Sequence, residues 1–189
     1  MRADARGVER QPLRLLDGRD AAQLGLFDVQ PEARLSGGAP LLAHALDRGA
    51  IALAAEMVGG MSAAFQMTLD YLKTRVQFGV PIGSFQALQH RAARLFVEIE
   101  LARSAVWRAA ALLDDDAEDA AIALAASVAK AKCSDAFLHV AHEGIQMHGG
   151  IGMTDEHDNG LYLKRARVAE MSLGDARHHR DRFARLSGF

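Results

Sequence analysis

Residues 41–74, LLAHALDRGAIALAAEMVGGMSAAFQMTLDYLKT, carry one helical period without interruption. Leu46, Ile51, Leu53, Met57, Met61, Phe65, Leu69 and Leu72 recur at spacings near three and four, which predicts a single amphipathic helix of roughly 50 Å. Gly59 and Gly60 in its middle cost about 1 kcal/mol each against alanine. A close crossing with another helix accounts for them. FGVPIG breaks the pattern at Pro81, and Ser84 is placed to cap a second helix over residues 85–113. The acidic turn DDDAED, with Asp114 to Asp116 solvated, leads into a third helix over 118–147 and puts negative charge at its start. Shorter helices are expected over about 157–172 and 174–186. Long helices of near-equal length joined by short links predict an all-α, up-down four-helix bundle.

The first forty residues differ. They hold three of the four prolines. LRLL and LGLFDV read as short strands around the turn signal Asp17-Gly18. Such a segment cannot bury a core, so it reads as a strap on the main body or the tail of a sheet. The expected division is therefore residues 1–40 as a β remnant and 41–189 as the helical domain.

A chain of 189 residues holds one domain, or one with an appendage. Its net charge of −2 gives no sign of a nucleic-acid partner. The single cysteine, Cys133, excludes an internal disulfide, fits a reducing compartment, and sits among alanines as a buried, inert thiol. No apolar run is expected to reach the length of a bilayer span and no signal peptide is evident, so a cytoplasmic protein is expected.

Two stretches invite chemistry. In QMHGGIG, residues 146–152, three glycines crowd four positions after Gln146. Such a turn admits close approach of a phosphate-bearing ligand, and glycine also caps helix C-termini; both readings are open. No Lys-Ser/Thr follows and no strand precedes, so neither a P-loop nor a dinucleotide fingerprint fits. In YLKTRVQFGVPIGSFQ, residues 71–86, Arg75 is either a helix-terminal charge or a fork for two phosphate oxygens. Gln86 offers a donor and an acceptor. By residue type alone, Phe78 and Phe85 read as core. His178, His179 and Asp181 are a poor metal set, because adjacent histidines diverge on a helix. His139 and His142 share a face without a third ligand and read as core-edge or interface residues.

RVQFGVPIGSFQ, then AASVAKAKCSDA, then QMHGGIG, in that order, resemble the C-terminal four-helix domain of the acyl-CoA dehydrogenase family. The resemblance covers about residues 41–187, and residues 1–40 look like the end of that family's middle β-domain. The ending GDA…HH is similar to that of bacterial members, including small subunits of pimeloyl-CoA and steroid-side-chain enzymes. The resemblance implies FAD bound across a subunit interface of a homo- or hetero-oligomer, an acyl-CoA substrate and an electron-transferring acceptor. It assigns Arg75, Phe78, Gln86, Gln146, Gly149 and Gly150 to the flavin. It also implies a glutamate that removes the α-proton, at one of two alternative family positions. Here these hold Leu173, before Gly174, and Gly49. Asp47 points about 160° away from Gly49 on the helix. Glu56 shares the Gly49 face two turns on, and is the one candidate for the base; Glu170 lies one turn before Leu173. A chain of this length lacks the family's N-terminal and most of its β-domain. The expectation is a fragment, or a subunit that works with a fuller partner. A non-catalytic interface subunit and a plain helical bundle without cofactor remain as alternatives.

Overall fold

The computed structural model describes residues 5–189. Its order is β1 (Val8–Arg14), β2 (Asp20–Leu26), α1 (Gly38–Thr74), β3 (Val76–Gln77), β4 (Val80–Pro81), α2 (Gln86–Asp114), α3 (Asp119–His148), α4 (Asn159–Met171) and α5 (Ala176–Leu186). The mostly helical, four-helix architecture with a small N-terminal hairpin agrees with the sequence reading.

The core is built on α3, which packs against α1, α2, α4 and α5. Many of its inward residues are small: Ala126, Ala129, Cys133, Ala136 and Ala141 are all essentially buried. Larger side chains fill in from both sides, Met57, Met61 and Phe65 from α1 and Leu95, Ile99 and Val106 from α2. Burying each such side chain contributes about 1.5–3 kcal/mol. The glycine pair in α1 divides its work. A Cβ on Gly60 would come within 2.6 Å of the Phe137 ring, so a helix crossing requires that glycine. A Cβ on Gly59 would meet nothing. The Cys133 thiol is pushed up to about 12 by burial, as an unreactive core sulfur would be.

β1 and β2 pair antiparallel from Val8↔Leu26 to Arg14↔Asp20. The Asp17-Gly18 turn joins them as expected. Both strands sit earlier in the chain than LRLL and LGLFDV suggest: β1 ends at Arg14 and β2 already begins at Asp20, with Leu15 N–H donating to Arg19 O at the turn.

Three other expectations are corrected. Ser84 does not cap α2: Phe85 holds the N-cap position, and the Ser84 hydroxyl donates to Pro81 O at 2.7 Å within the preceding turn. Phe78 is not core: it is 91% exposed at the tip of the β3–β4 hairpin, where a left-handed φ of 54° turns it outward. An apolar run of span length does exist. α1 is long enough, with a mean hydropathy of 1.3 over an 18-residue window, to meet that criterion by composition. Its apolar face, Ile51, Ala54, Met57, Met61 and Phe65, is spent on the bundle core.

Candidate functional site

A cleft of about 820 Å³ opens where the end of α1, the β3–β4 hairpin and the start of α2 meet the end of α3. Arg75, Gln146, Gly149 and Gly150 all line it. The two stretches that are 71 to 86 and 146 to 152 in sequence thus become opposite walls of one space. Arg75 follows α1 directly. Its backbone N–H closes the helix on Tyr71 O, and its backbone O accepts from Ile82 N–H, so the β3–β4 hairpin folds back over it. The Arg75 guanidinium is exposed and has no ion-pair partner among the described residues. Arg91, on the same cleft, is by contrast paired with Glu143 at 3.4 Å.

The glycines serve different ends. Gly149 is the C-cap of α3 and has φ 64°, a conformation that glycine adopts at little cost. A Cβ on Gly149 or Gly150 would meet nothing within 4 Å, so their backbone faces open space. Gly152 is a packing glycine: a Cβ there would lie 2.6 Å from Ile145 O. Beneath the turn, His148 is 2% exposed, and its Nδ1 lies 2.7 Å from Gly144 O. Its ring is flanked by Tyr71 and His157, with centroids at 4.6 and 4.1 Å. Burial pulls its pKa below the usual histidine value, so the ring is held neutral.

Gln86 begins α2 on the exposed rim, one residue before the cleft-lining Ala87 and Leu88, and Phe78 stands outside the cleft in edge contact with Phe85. Sequence reasoning did not single out Tyr71, Gln77, Arg91 or His148. Gln77 and Tyr71 lie within the stretch it marked; Arg91 and His148 read as ordinary helix residues.

The two positions that the resemblance implied for a base, Gly49 and Leu173, lie elsewhere. A Cβ on Gly49 would lie 3.1 Å from Leu173 Cδ1, so the two positions are in contact. Leu173 sits at φ 58° between α4 and α5, beside a cleft of about 350 Å³ lined also by Leu46, Asp47, His179 and Arg182. Among the described residues, the carboxylates near it are engaged. Asp47 is buried and held by Arg182 at 2.5 and 2.8 Å. Glu170 pairs with Arg167 at 2.6 Å. Glu56 opens onto a different cleft with Asp17, Arg19 and Tyr162. Arg165 grips it through two bonds of 2.6 and 3.0 Å, and this holds its carboxyl below the usual range against the effect of burial.

Among the described residues, no group of three or more His, Cys, Asp and Glu side chains is gathered for a metal. The His178 and His179 rings stand edge to face, and His179 Nε2 faces Leu173 O at 2.9 Å. His139 and His142 are both exposed on α3.

The arginine-and-glycine cleft lies between the ends of two long helices of a helical bundle. Residues 36–187 match the family model described as acyl-CoA dehydrogenase, C-terminal domain. The chain belongs to the acyl-CoA dehydrogenase family. It is 47% identical over 131 residues to acyl-CoA dehydrogenase IpdE2 of Mycobacterium tuberculosis, covering 69% of this chain and 39% of that protein. The Tcur3481-Tcur3483 steroid ACAD G363A variant superposes with a TM-score of 0.90 at 34% identity, over 98% of this chain and 50% of that one. The ChsE4-ChsE5 complex from Mycobacterium tuberculosis gives 0.91 at 28% identity, over 100% of this chain and 51% of that one. The chain thus spans about half the length of these solved relatives or less.

Proposed function

We propose that this chain is the C-terminal, flavin-binding part of a FAD-dependent acyl-CoA dehydrogenase, and that it acts within a larger assembly in which another chain supplies the catalytic base. The observation that carries this reading is the contact between Gly49 and Leu173. The two positions that the family resemblance implies for a base touch each other, and neither a glycine nor a leucine side chain accepts a proton.

The cleft fits the cofactor. An unpaired guanidinium at Arg75 suits a pyrophosphate, and the bare Gly149–Gly150 backbone leaves room for a ligand to approach. Gln146 offers an amide at the same wall, and Gln86 stands at the start of α2 one residue before the cleft-lining Ala87. A bound flavin would supply the acceptor for a hydride from the β-carbon of the thioester. The residues of this chain bind and orient it. They do not take the α-proton, because that step needs a carboxylate within hydrogen-bond reach of the substrate, and Asp47, Glu56 and Glu170 are each committed to an arginine.

Two of the structural relatives carry paired names, Tcur3481-Tcur3483 and ChsE4-ChsE5, which favours a hetero-oligomer for this chain as well. A purely interface-forming role, in which these helices complete a partner's flavin site, is favoured by the same Gly49–Leu173 contact. Acyl-CoA-dependent bleaching of flavin absorbance separates the readings. Partner-free, flavin-loaded protein should show no bleaching with short, long, dicarboxylic or steroid-side-chain acyl-CoAs, while the native assembly should bleach. Bleaching by the isolated chain that Glu56→Gln abolishes would overturn the assignment and make Glu56 the base. Absence of flavin from the native assembly would leave a plain helical bundle.

A further inference from the structure

The turn that carries Leu173 is held from two helices by two buried nitrogen side chains. Lys130 of α3 is fully buried. Its Nζ donates to Ser134 Oγ at 3.1 Å, to Glu170 O at 3.0 Å and to Gly174 O at 2.8 Å. His179 of α5 is 2% exposed, and its Nε2 lies 2.9 Å from Leu173 O. A carbonyl can only accept, so Nε2 carries the proton and donates. Nδ1 then has a lone pair, and it is buried without a partner among the described residues. Three carbonyls of one turn, those of Glu170, Leu173 and Gly174, thereby end on two titratable side chains.

The backbone needs such anchoring. Leu173 and Gly174 take successive left-handed conformations, φ 58° and 93°. A leucine stays there only where its surroundings impose it. Gly174 cannot be replaced, since a Cβ would lie 2.5 Å from His178 Cδ2 and 3.1 Å from His179 Nε2. The outcome of this geometry is that Leu173 is laid onto Gly49 of α1.

We propose that Lys130 and His179 are the positioning residues of the α4–α5 turn, and that together they form an acid-labile latch: protonation of His179 releases the turn and lifts Leu173 from Gly49. A second proton on His179 would sit at Nδ1, a buried N–H with no acceptor, at a cost that opening the turn removes. The surroundings add to it. Lys130 and Arg182 are cations facing the ring, and His178 becomes a third when protonated. The anions nearby do not compensate: Asp47 of α1 is bound to Arg182, Glu170 of α4 to Arg167, and Asp175 accepts from His178 N–H at the start of α5. Cys133 of α3 stays a neutral thiol. Burial accordingly pulls His179 below the ordinary histidine pKa. Lys130 is lowered by burial to about 8, with Glu170, Cys133 and Asp175 opposing, so below pH 6.5 it stays an ammonium that donates to all three partners, and the acid step belongs to His179.

Amide hydrogen exchange of the full chain, read by mass spectrometry on peptides covering 170–178 and corrected for intrinsic rates, tests the latch. Protection of that peptide should fall as pH drops below about 6.5, approaching tenfold per pH unit for release coupled to one proton. Peptides from the middle of α2 should hold their protection. His179→Gln keeps an N–H donor and cannot titrate, so its protection should be flat over the same range. Lys130→Met should lower protection at every pH. Should that variant fail to fold, Lys130→Gln, which retains two donors, should show an intermediate loss. The latch is overturned by an acid step that persists in His179→Gln, by a flat wild-type profile, or by wild-type protection in both Lys130 variants.

Discussion

Leu173 and Gly49, separated by almost the whole helical bundle in sequence, touch across the start of α1, with Leu173 Cδ1 3.1 Å from where a Gly49 Cβ would stand. Two positions that look like unrelated alternatives along the chain are therefore two entrances to one small space. In this protein a leucine methyl fills it. A carboxylate introduced at position 173 would line the same cleft as the buried Asp47–Arg182 pair, which is already complete.

Arg75→Ala should weaken flavin retention in the assembled protein without unfolding it. A charge-assisted bond to phosphate is worth about 1.5–3 kcal/mol, so affinity should fall roughly tenfold to a hundredfold. Arg75 is exposed and contributes no core volume, so the melting temperature of the flavin-free chain should stay put. Equal retention by variant and wild type in a dialysis series would refute the role of Arg75.

Gly59→Ala and Gly60→Ala should move stability in opposite directions. The first adds a methyl to open space and gains helix propensity, up to about 1 kcal/mol. The second drives a Cβ into the ring of Phe137, which is 1% exposed and packed on all sides. Overpacking of that kind costs about 1–3 kcal/mol. Urea unfolding of the pair checks both; a Gly60 variant as stable as wild type would mean that the crossing is loose.

Arg182→Ala should cost about 3 kcal/mol or more, because it strands a buried Asp47 carboxylate. Arg182 also donates to Ser127 Oγ at 3.2 Å, so α5 loses its tie to α3 at the same point. Removing Asp47 as well should recover part of the loss. A double-mutant cycle with no coupling would show that the pair is incidental.

Global stability should fall on acidification below the ordinary histidine range. His148 and His179 are both held neutral by burial, with folded pKa values below the unfolded 6.5. As pH drops through 6.5, the unfolded chain takes up protons that the folded chain refuses, so the unfolding free energy decreases until the folded values are passed. Above 6.5 neither histidine contributes a slope. Urea midpoints at about pH 7.5 and 5.5 give the comparison, and His148→Gln should flatten part of the difference. Equal midpoints would contradict the neutral assignment.

The helices were legible because their periodicity is long and their breaks are marked by Pro81 and the glycines. The hairpin was legible from Asp17-Gly18, although its register was not, since strand ends depend on which residues the turn consumes. Both walls of the large cleft were visible as motifs. Their meeting was not, and neither was the latch. Lys130 reads in sequence as one more lysine in an alanine-rich helix. Only the return of the chain 44 residues later, bringing the Gly174 carbonyl to its amine, shows that it faces inward. Ser84 misled because it lies one residue too early: Phe85 takes the N-cap position, and the Ser84 hydroxyl donates back to Pro81 O in the preceding turn.

The bond between Arg182 and Asp47 spans 135 residues. It ties the last helix to the opening turns of the first. A link of that separation comes at a high loop-closure entropy, which the chain recovers only after the intervening helices have docked. The two ends of the bundle should therefore be the last part to order during folding and the first to part under load. Pulling on the C-terminus should peel α5 from the first turns of α1 before the α1–α3 core yields.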